Sequence, residues 1–222
     1  MSIPKNIFQT FKTKKLPLIT KWHIWRMKKM NPEYQYFLYD DIDIQDFFRE
    51  EFGPEYLQAY NQLTIGAAKA DFFRYAILYK KGGVYLDVDS GMSKPLRKLI
   101  LPIDVALLSV ERHVHFYCQW ALIFDKGHPF LKKTLEQVLE NIQQHKFPHD
   151  VHATTGPTAF TKAINDCLKR NPEIPHRIFD GIEYRGFLKF KYKLGKFFLY
   201  SKKSEHWKKK QMTQDIIKPL EE

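Results

Sequence analysis

The chain has 222 residues, a formal net charge of +11, 44% apolar and 15% aromatic content, and two cysteines. This length suits a single domain, and the aromatic load excludes a chain too polar to build a core. Isolated Cys118 and Cys167 exclude a disulfide scaffold, and no window reaches the roughly 20 apolar residues of a membrane span.

In chain order, residues 3–10 read as a first strand, followed by a basic loop ending at Pro17. Residues 19–30 carry helical apolar spacing and stop at Asn31-Pro32, because a residue before proline is pushed out of the helical region. Residues 34–39 are short, aromatic-rich and bounded by turn formers, as a strand is. Two short helices follow over 44–52 and 54–63, separated by Gly53. Residues 66–80 give the clearest helix, with Ala67, Ala70, Phe73 or Arg74, and Ile77 recurring on one face and Gly82-Gly83 ending it. Residues 84–89, 105–110 and 119–124 are expected strands. Residues 130–144 read as an amphipathic helix, and Thr155-Gly156-Pro157 opens another. Strands alternating with helices imply an α/β fold with a mostly parallel sheet in one domain over 1–222. There is no internal repeat and no composition break marking a second domain.

The chemistry concentrates in residues 69–90. Asp71 and Arg74, three apart on a helix, are neighbours on one face. If 84–89 is a strand, Tyr85, Asp87 and Asp89 point one way and Val84, Leu86 and Val88 the other. The two carboxylates then have α-carbons roughly 6–7 Å apart, close enough to address one hard cation that keeps waters and meets a diphosphate. They fall at the carboxyl end of a strand, where open α/β sheets bind ligands. A bare Asp-x-Asp is a weak signal, and Asp71–Arg74 alone could be a solvated helical ion pair. An EF-hand reading from Asp87 fails because its twelfth position is Lys98 rather than Glu. His113, His115, His145, His149 and His152 lack zinc spacing, and His128 before Pro129 reads as a structural helix entry. Residues 62–66 read as a loop near any ligand bound there.

Taken together, residues 68–75 and 82–89 resemble glycosyltransferase family 32, the DXD sugar-binding group, which takes in a yeast initiating α-1,6-mannosyltransferase and bacterial capsule and lipopolysaccharide transferases. Residues 3–11 resemble its first strand and Thr155-Gly156-Pro157 its later glycine–proline turn, so the resemblance spans about residues 3–160. It implies a GT-A fold, Mn²⁺ or Mg²⁺, and transfer of a hexose with retention from a nucleotide sugar, a UDP-sugar being favoured and GDP-mannose the other donor. The acceptor it implies is a glycan or lipid-linked glycan in surface polysaccharide synthesis. On the matching positions, Asp87 and Asp89 become the catalytic pair that holds metal and diphosphate, Asp71 and Arg74 hold the sugar, and Tyr85 lines the same pocket. Phe11 stands where the family commonly has a base-stacking Trp, Tyr39 stands where it often has another Trp, and Ser204-Glu205-His206-Trp207 resembles its closing loop. Donor binding is therefore expected at Phe11, Asp71, Arg74, Tyr85, Asp87 and Trp207. The resemblance also points to front-face attack assisted by the leaving phosphate, with no side-chain base or nucleophile.

Residues 185–210 hold ten Lys or Arg against one acid, with interleaved aromatics. This segment is expected to face anionic lipid headgroups as a peripheral contact. The rival class is a nucleic-acid-binding protein using the same patch. It lacks a recognised motif and leaves Asp71, Arg74, Asp87 and Asp89 without a role, so nucleic acid is not the expected partner. The N-terminus lacks the apolar stretch of a signal peptide, so a cytoplasmic protein, peripheral on the inner membrane face, is the expectation.

Overall fold

The computed structural model describes residues 3–111, 116–192 and 211–218. In chain order it forms β1 (Asn6–Thr10), α1 (Leu18–Met30), β2 (Gln35–Tyr39), α2 (Asp41–Glu51), α3 (Pro54–Gln62), α4 (Gly66–Lys81), β3 (Gly83–Leu86) and β4 (Gly91–Met92). After a short 3-10 turn at Leu96–Lys98 come β5 (Ala106–Glu111), β6 (Phe116–Tyr117), β7 (Ala121–Phe124), α5 (Pro129–Gln143), α6 (Val151–Thr154), α7 (Pro157–Arg170), β8 (Arg177–Asp180) and β9 (Leu188–Lys189).

The main sheet runs β2-β1-β3-β7-β5-β6, with β8 also paired to β5. β1 is parallel to β2 and β3, and β8 is parallel to β5, while β7 runs antiparallel to both β3 and β5. Five strands therefore share one direction and β6 and β7 oppose them, so the sheet is mostly parallel as expected. β4 and β9 form a separate antiparallel pair.

The period of two divides the strand side chains between two cores. Phe8, Tyr85, Leu108 and Leu122 join the core built with α2–α5 and α7. Ile7, Val84, Leu107 and Ile123 join Met27 of α1 and Leu188 on the opposite face. The sheet is thus covered on both sides.

Several local signals act as the sequence predicts. Asn31 ends α1, and its buried amide donates to Met27 O while its Oδ1 accepts from Leu96 N at 2.7 Å. Gly82 ends α4 at φ 62°, and Gly83 holds φ 123° where β1 and β3 approach. His128 caps α5: Nδ1 accepts from Phe130 N at 3.3 Å and Nε2 donates to Pro175 O at 3.2 Å. The acidic knot at Asp40 starts α2 three residues before the predicted position, because Asp40 and Asp43 form a reciprocal capping box.

Two expectations are corrected. The helix over 66–80 was expected to have one apolar face, yet residues 71–78 of α4 are all buried, since the helix lies between the sheet and α5. The strand predicted over 84–89 ends at Leu86. Asp87 N still donates to Trp120 O at 2.7 Å, but Ser90 N then donates to Asp87 O at 2.9 Å and closes a turn. The chain must turn there to reach β4, which pairs with β9 outside the main sheet.

Candidate active site

The turn Asp87–Ser90 lies at the carboxyl ends of β1 and β3. Register brings them level, with Phe8 opposite Tyr85, and Gln9 Nε2 in β1 donates to the backbone oxygen of Asp87 at 3.1 Å. Gln9 is itself held by Tyr36 OH at 3.0 Å, so β2 also supports the turn. Asp87 and Asp89 therefore do not alternate on one pleated face; a turn presents them.

Arg74 connects α4 to that turn. Its Nη2 lies 3.0 Å from Asp87 Oδ1 and 3.2 Å from Asp71 Oδ1, Nη1 donates to Gln119 O at 2.7 Å, and Nε donates to Ala70 O at 3.3 Å. Its guanidinium also sits 4.8 Å over the ring of Tyr85, whose hydroxyl donates to Asp87 Oδ1 at 3.3 Å. Asp71 and Arg74 side chains are each only 6% exposed, so the solvated surface pair is excluded as a description of them. A buried charge must be paired and hydrogen-bonded to persist, and each of these is.

Asp71 is satisfied from two further elements. Gln119 Nε2 donates to its Oδ1 at 3.0 Å, and Thr155 Oγ1, at the turn into α7, donates to its Oδ2 at 3.1 Å. Tyr75 OH donates to Gln119 Oε1, closing the network. Burial pushes the Asp71 carboxyl up to about 7 against the pull of Arg74. Burial also raises Asp87, with Arg74 opposing, and burial together with the charge of Asp87 pushes Asp89 up to about 6. Burial disfavours the Arg74 cation, but Tyr85, Asp87 and Asp71 around it keep it charged.

The structure thus joins Asp71, Arg74, Tyr85 and Asp87 in one network. Tyr85 is 1% exposed and supports Asp87 from beneath instead of forming an open wall. Asp89 is buried beside them, with Lys191 Nζ 3.9 Å from its Oδ2. Phe11, half-buried, packs against the small cluster that contains Val88, between the two acids in sequence. Tyr39 packs instead into the helical core against Phe73. Residues 62–66 lead into α4 and are held by the C-terminal segment, with Thr64 N donating to Ile216 O at 2.8 Å. Trp207 with residues 204–206, as well as His113 and His115, lie outside the described residues. Gln9 and Thr155 stand in stretches that carry the resemblance and Gln119 in an expected strand, but the sequence assigns none of them a side-chain role at the site; only the fold brings them to the acids.

Comparisons with known proteins cover the stretch that holds this site. Residues 20–105 match the family model described as a glycosyltransferase sugar-binding region containing a DXD motif. Over those residues the chain is similar to that DXD sugar-binding region. It is 34% identical over 180 residues to an inositol phosphoceramide mannosyltransferase 3 of Schizosaccharomyces pombe, covering 78% of this chain and 47% of that protein. An initiation-specific alpha-1,6-mannosyltransferase of Candida albicans is 26% identical over 216 residues, covering 77% of this chain and 55% of the relative. The chain spans about half the length of these curated relatives. A solved PaToxG glycosyltransferase superposes with TM-score 0.64 at 21% identity, over 77% of this chain and 71% of that one, and shares the fold.

The donor set of the DXD turn suits a hard divalent cation. Mg²⁺ and Mn²⁺ at substrate phosphates take one or two protein carboxylates and leave the remaining positions to water and phosphate. Asp87 and Asp89 supply two, and no group of three metal-binding side chains occurs among the described residues. Burial raises the carboxyls of Asp87 and Asp89, and the charge of Asp87 adds to the rise at Asp89, so a cation between them would relieve the cost of their ionised forms. Ser90 Oγ, in the same turn, and Nε1 of Trp120, whose carbonyl holds Asp87 N, are buried polar atoms with no hydrogen-bond partner among the described residues. The buried orphan in the acidic turn itself, Ser90 Oγ, is what an oxygen-rich ligand would satisfy.

Proposed function

We propose that this chain is a metal-dependent glycosyltransferase that moves a hexosyl group from a nucleotide sugar to a glycan or glycolipid acceptor, with retention of configuration. The observation that carries this reading is the acidic turn Asp87–Ser90, clamped by Arg74 at the carboxyl ends of β1 and β3. The names of the relatives favour mannose as the sugar, and so GDP-mannose as the donor over a UDP-hexose.

In this reading Asp87 and Asp89 hold Mn²⁺ or Mg²⁺, which when bound supplies the positive charge that stabilises the departing diphosphate. Arg74 fixes Asp87 Oδ1, leaving Oδ2 for the ligand, and keeps the acid pair oriented before donor arrives. Asp71 sits behind Arg74 and, held by Gln119 and Thr155, anchors the guanidinium. Phe11 offers a ring to the nucleobase beside the turn. The base and nucleophile roles have no side chain assigned, in keeping with front-face attack assisted by the leaving phosphate. Residues 185–210, described here only over 185–192, are proposed to meet the membrane that carries a lipid-linked acceptor.

The test is a thermal-shift panel of GDP-mannose and UDP-hexoses, each with Mn²⁺, Mg²⁺ or a chelator. Saturation at 100 times Kd stabilises by about 2.7 kcal/mol, or about 5–10 °C at this size. GDP-mannose with metal should give that shift, and the chelator should abolish it. No shift with any nucleotide sugar in either metal would overturn the reading.

A further inference from the structure

Helix α1 carries a surface that the transferase site does not use. From Lys12 to Pro32 the sequence has seven Lys or Arg and no acid. Leu18 is 83% exposed, Trp25 55% and Trp22 50%, and these residues follow one another at helical spacing along the outward stripe of α1. Lys29 Nζ stands 5.5 Å over the ring of Trp25, and the Arg26 guanidinium 5.9 Å over Trp22. Among the described residues, none of Lys21, Arg26, Lys28 and Lys29 is paired with a carboxylate.

Beside this stripe an open groove of about 610 Å³ runs between α1 and the edge strand β2. Lys21, Lys28 and Lys29 rim it, Lys28 standing 5.6 Å over Tyr36 on its wall, and Ile24 and Leu38 line its apolar side. Lys14 also reaches it, although its ammonium is engaged by Asp43 at 2.7 Å. A concave site with cations at the rim and aliphatic carbon within suits a group that is anionic at one end and hydrocarbon at the other.

We infer that α1 and its groove dock on a membrane surface bearing anionic phospholipid headgroups, with the lysines on phosphate and Trp22, Trp25 and Leu18 at the interfacial level. Charge complementarity selects the anionic partner. A nucleic acid would share it, but Leu18 and the aliphatic groove wall have no counterpart in phosphate and base contacts. Each exposed indole also has a cation over one face already. Basic and aromatic residues on one face of a helix are the composition of a segment lying in the interface plane.

The position of α1 gives the docking a consequence for the transferase reading, on which this consequence alone depends. Thr20 Oγ1 lies 2.7 Å from Tyr192 OH, His23 stacks on the Tyr192 ring at 3.9 Å, and Tyr192 N donates to Asp89 O at 3.0 Å. One residue therefore separates the docking helix from the acidic turn, so a bilayer on α1 would hold a lipid-borne acceptor beside Asp89.

The test is co-sedimentation of the full chain with vesicles of phosphatidylcholine alone and of phosphatidylcholine mixed with phosphatidylinositol. Wild type should pellet with the mixed vesicles only, and the triple variant Lys21→Glu, Lys28→Glu, Lys29→Glu should bind about tenfold or more weakly. Trp22→Ala with Trp25→Ala should reduce the binding that survives high salt and the blue shift of tryptophan fluorescence on vesicles. Circular dichroism verifies folding, and a Lys→Gln triple replaces any charge reversal that fails to fold. Mixed-vesicle binding unchanged in the α1 variants, or equal pelleting with both vesicles, overturns the inference. So does binding of a single-stranded oligonucleotide, lost in the same variants, with no vesicle binding. Nucleotide-sugar thermal shifts in the α1 variants report separately on the transferase site and should match wild type.

Discussion

Nη2 of Arg74, on the buried helix α4, lies 3.0 Å from Oδ1 of Asp87 and 3.2 Å from Oδ1 of Asp71. One guanidinium therefore serves two acids on different elements, and its remaining donors reach the carbonyls of Gln119 and Ala70. Arg74→Ala leaves Asp71 buried without its counter-charge. Breaking a buried pair costs about 3–5 kcal/mol, and the partial exposure of Asp87 places the expected loss near the lower bound. Urea unfolding measures it. Because Asp87 is released as well, affinity for the free nucleoside diphosphate with Mn²⁺ should fall together with that for the nucleotide sugar. Arg74→Lys should rescue little, since a point charge cannot span the same acceptors. A variant as stable as wild type would contradict the clamp.

Asp89→Asn separates folding from turnover. Asp89 is 4% exposed and sits beside Asp87, so an ionised carboxylate there is under repulsion in the metal-free chain. The amide removes that repulsion, and the metal-free melting midpoint should equal or exceed that of wild type. Turnover should fall by about a hundredfold or more, because a metal site contributes several kcal/mol to transition-state stabilisation. Turnover in excess chelator equal to that with Mn²⁺ would refute metal dependence.

Gln119→Leu tests the support behind Asp71. The amide donates to Asp71 and accepts from the Tyr75 hydroxyl, so the substitution removes one hydrogen bond from each of two buried groups, leaving Asp71 with Arg74 and Thr155 and Tyr75 with Thr155 O. A destabilisation of about 1–3 kcal/mol is expected in chemical unfolding. Gln119→Glu should do worse than Leu, by adding a third acid to Asp71 and Asp87. The reverse order would show that the network does not carry the charge balance described.

Gly83→Ala should destabilise by about 2 kcal/mol or more. The residue holds φ 123°, and an added Cβ would lie 2.6 Å from the backbone oxygen of Asn6 in β1. The cost falls on the β1–β3 pairing that carries the acidic turn, so loss of donor binding should accompany it. Differential scanning calorimetry reads the stability term.

The stabilisation contributed by His128 should fall as pH drops from 6.5 toward 4, while the raised carboxyls of Asp71, Asp87 and Asp89 contribute in the opposite sense over the same range. Burial lowers the His128 pKa from 6.5 to about 4, against the contact of Nε2 with Pro175 O, which favours the proton; the neutral ring caps α5 through Nδ1. Between those values the unfolded chain binds a proton that the folded chain refuses, so the stabilisation present above 6.5 is lost progressively on acidification. The full contribution is up to about 3 kcal/mol. Urea midpoints at pH 7 and pH 5 for wild type and for His128→Asn, which can still cap, isolate it: the stability advantage of wild type over the variant should be smaller at pH 5 than at pH 7, and an equal advantage at both would refute the role of His128.

The sequence by itself determined what local rules govern. Helical spacing put Asp71 and Arg74 on neighbouring positions of α4, Gly82-Gly83 stopped that helix, and alternation sent Val84 and Tyr85 to opposite cores. The motif Asp87-x-Asp89 was visible for the same reason: its spacing is short. Only the tertiary structure decided that β3 ends at Leu86, because that limit is set by where β7 stops pairing and where β4 must meet β9. It also brought Gln9, Gln119 and Thr155 to the acids across separations of 78, 48 and 84 residues. Side-chain hydrogen bonds at such distances leave no period in a sequence, since either partner could stand at many positions and still look polar. The burial of Arg74 has the same origin: an Asp and an Arg three apart read alike on a wet helix and a dry one, and only the sheet and α5 closing over α4 make the pair a clamp.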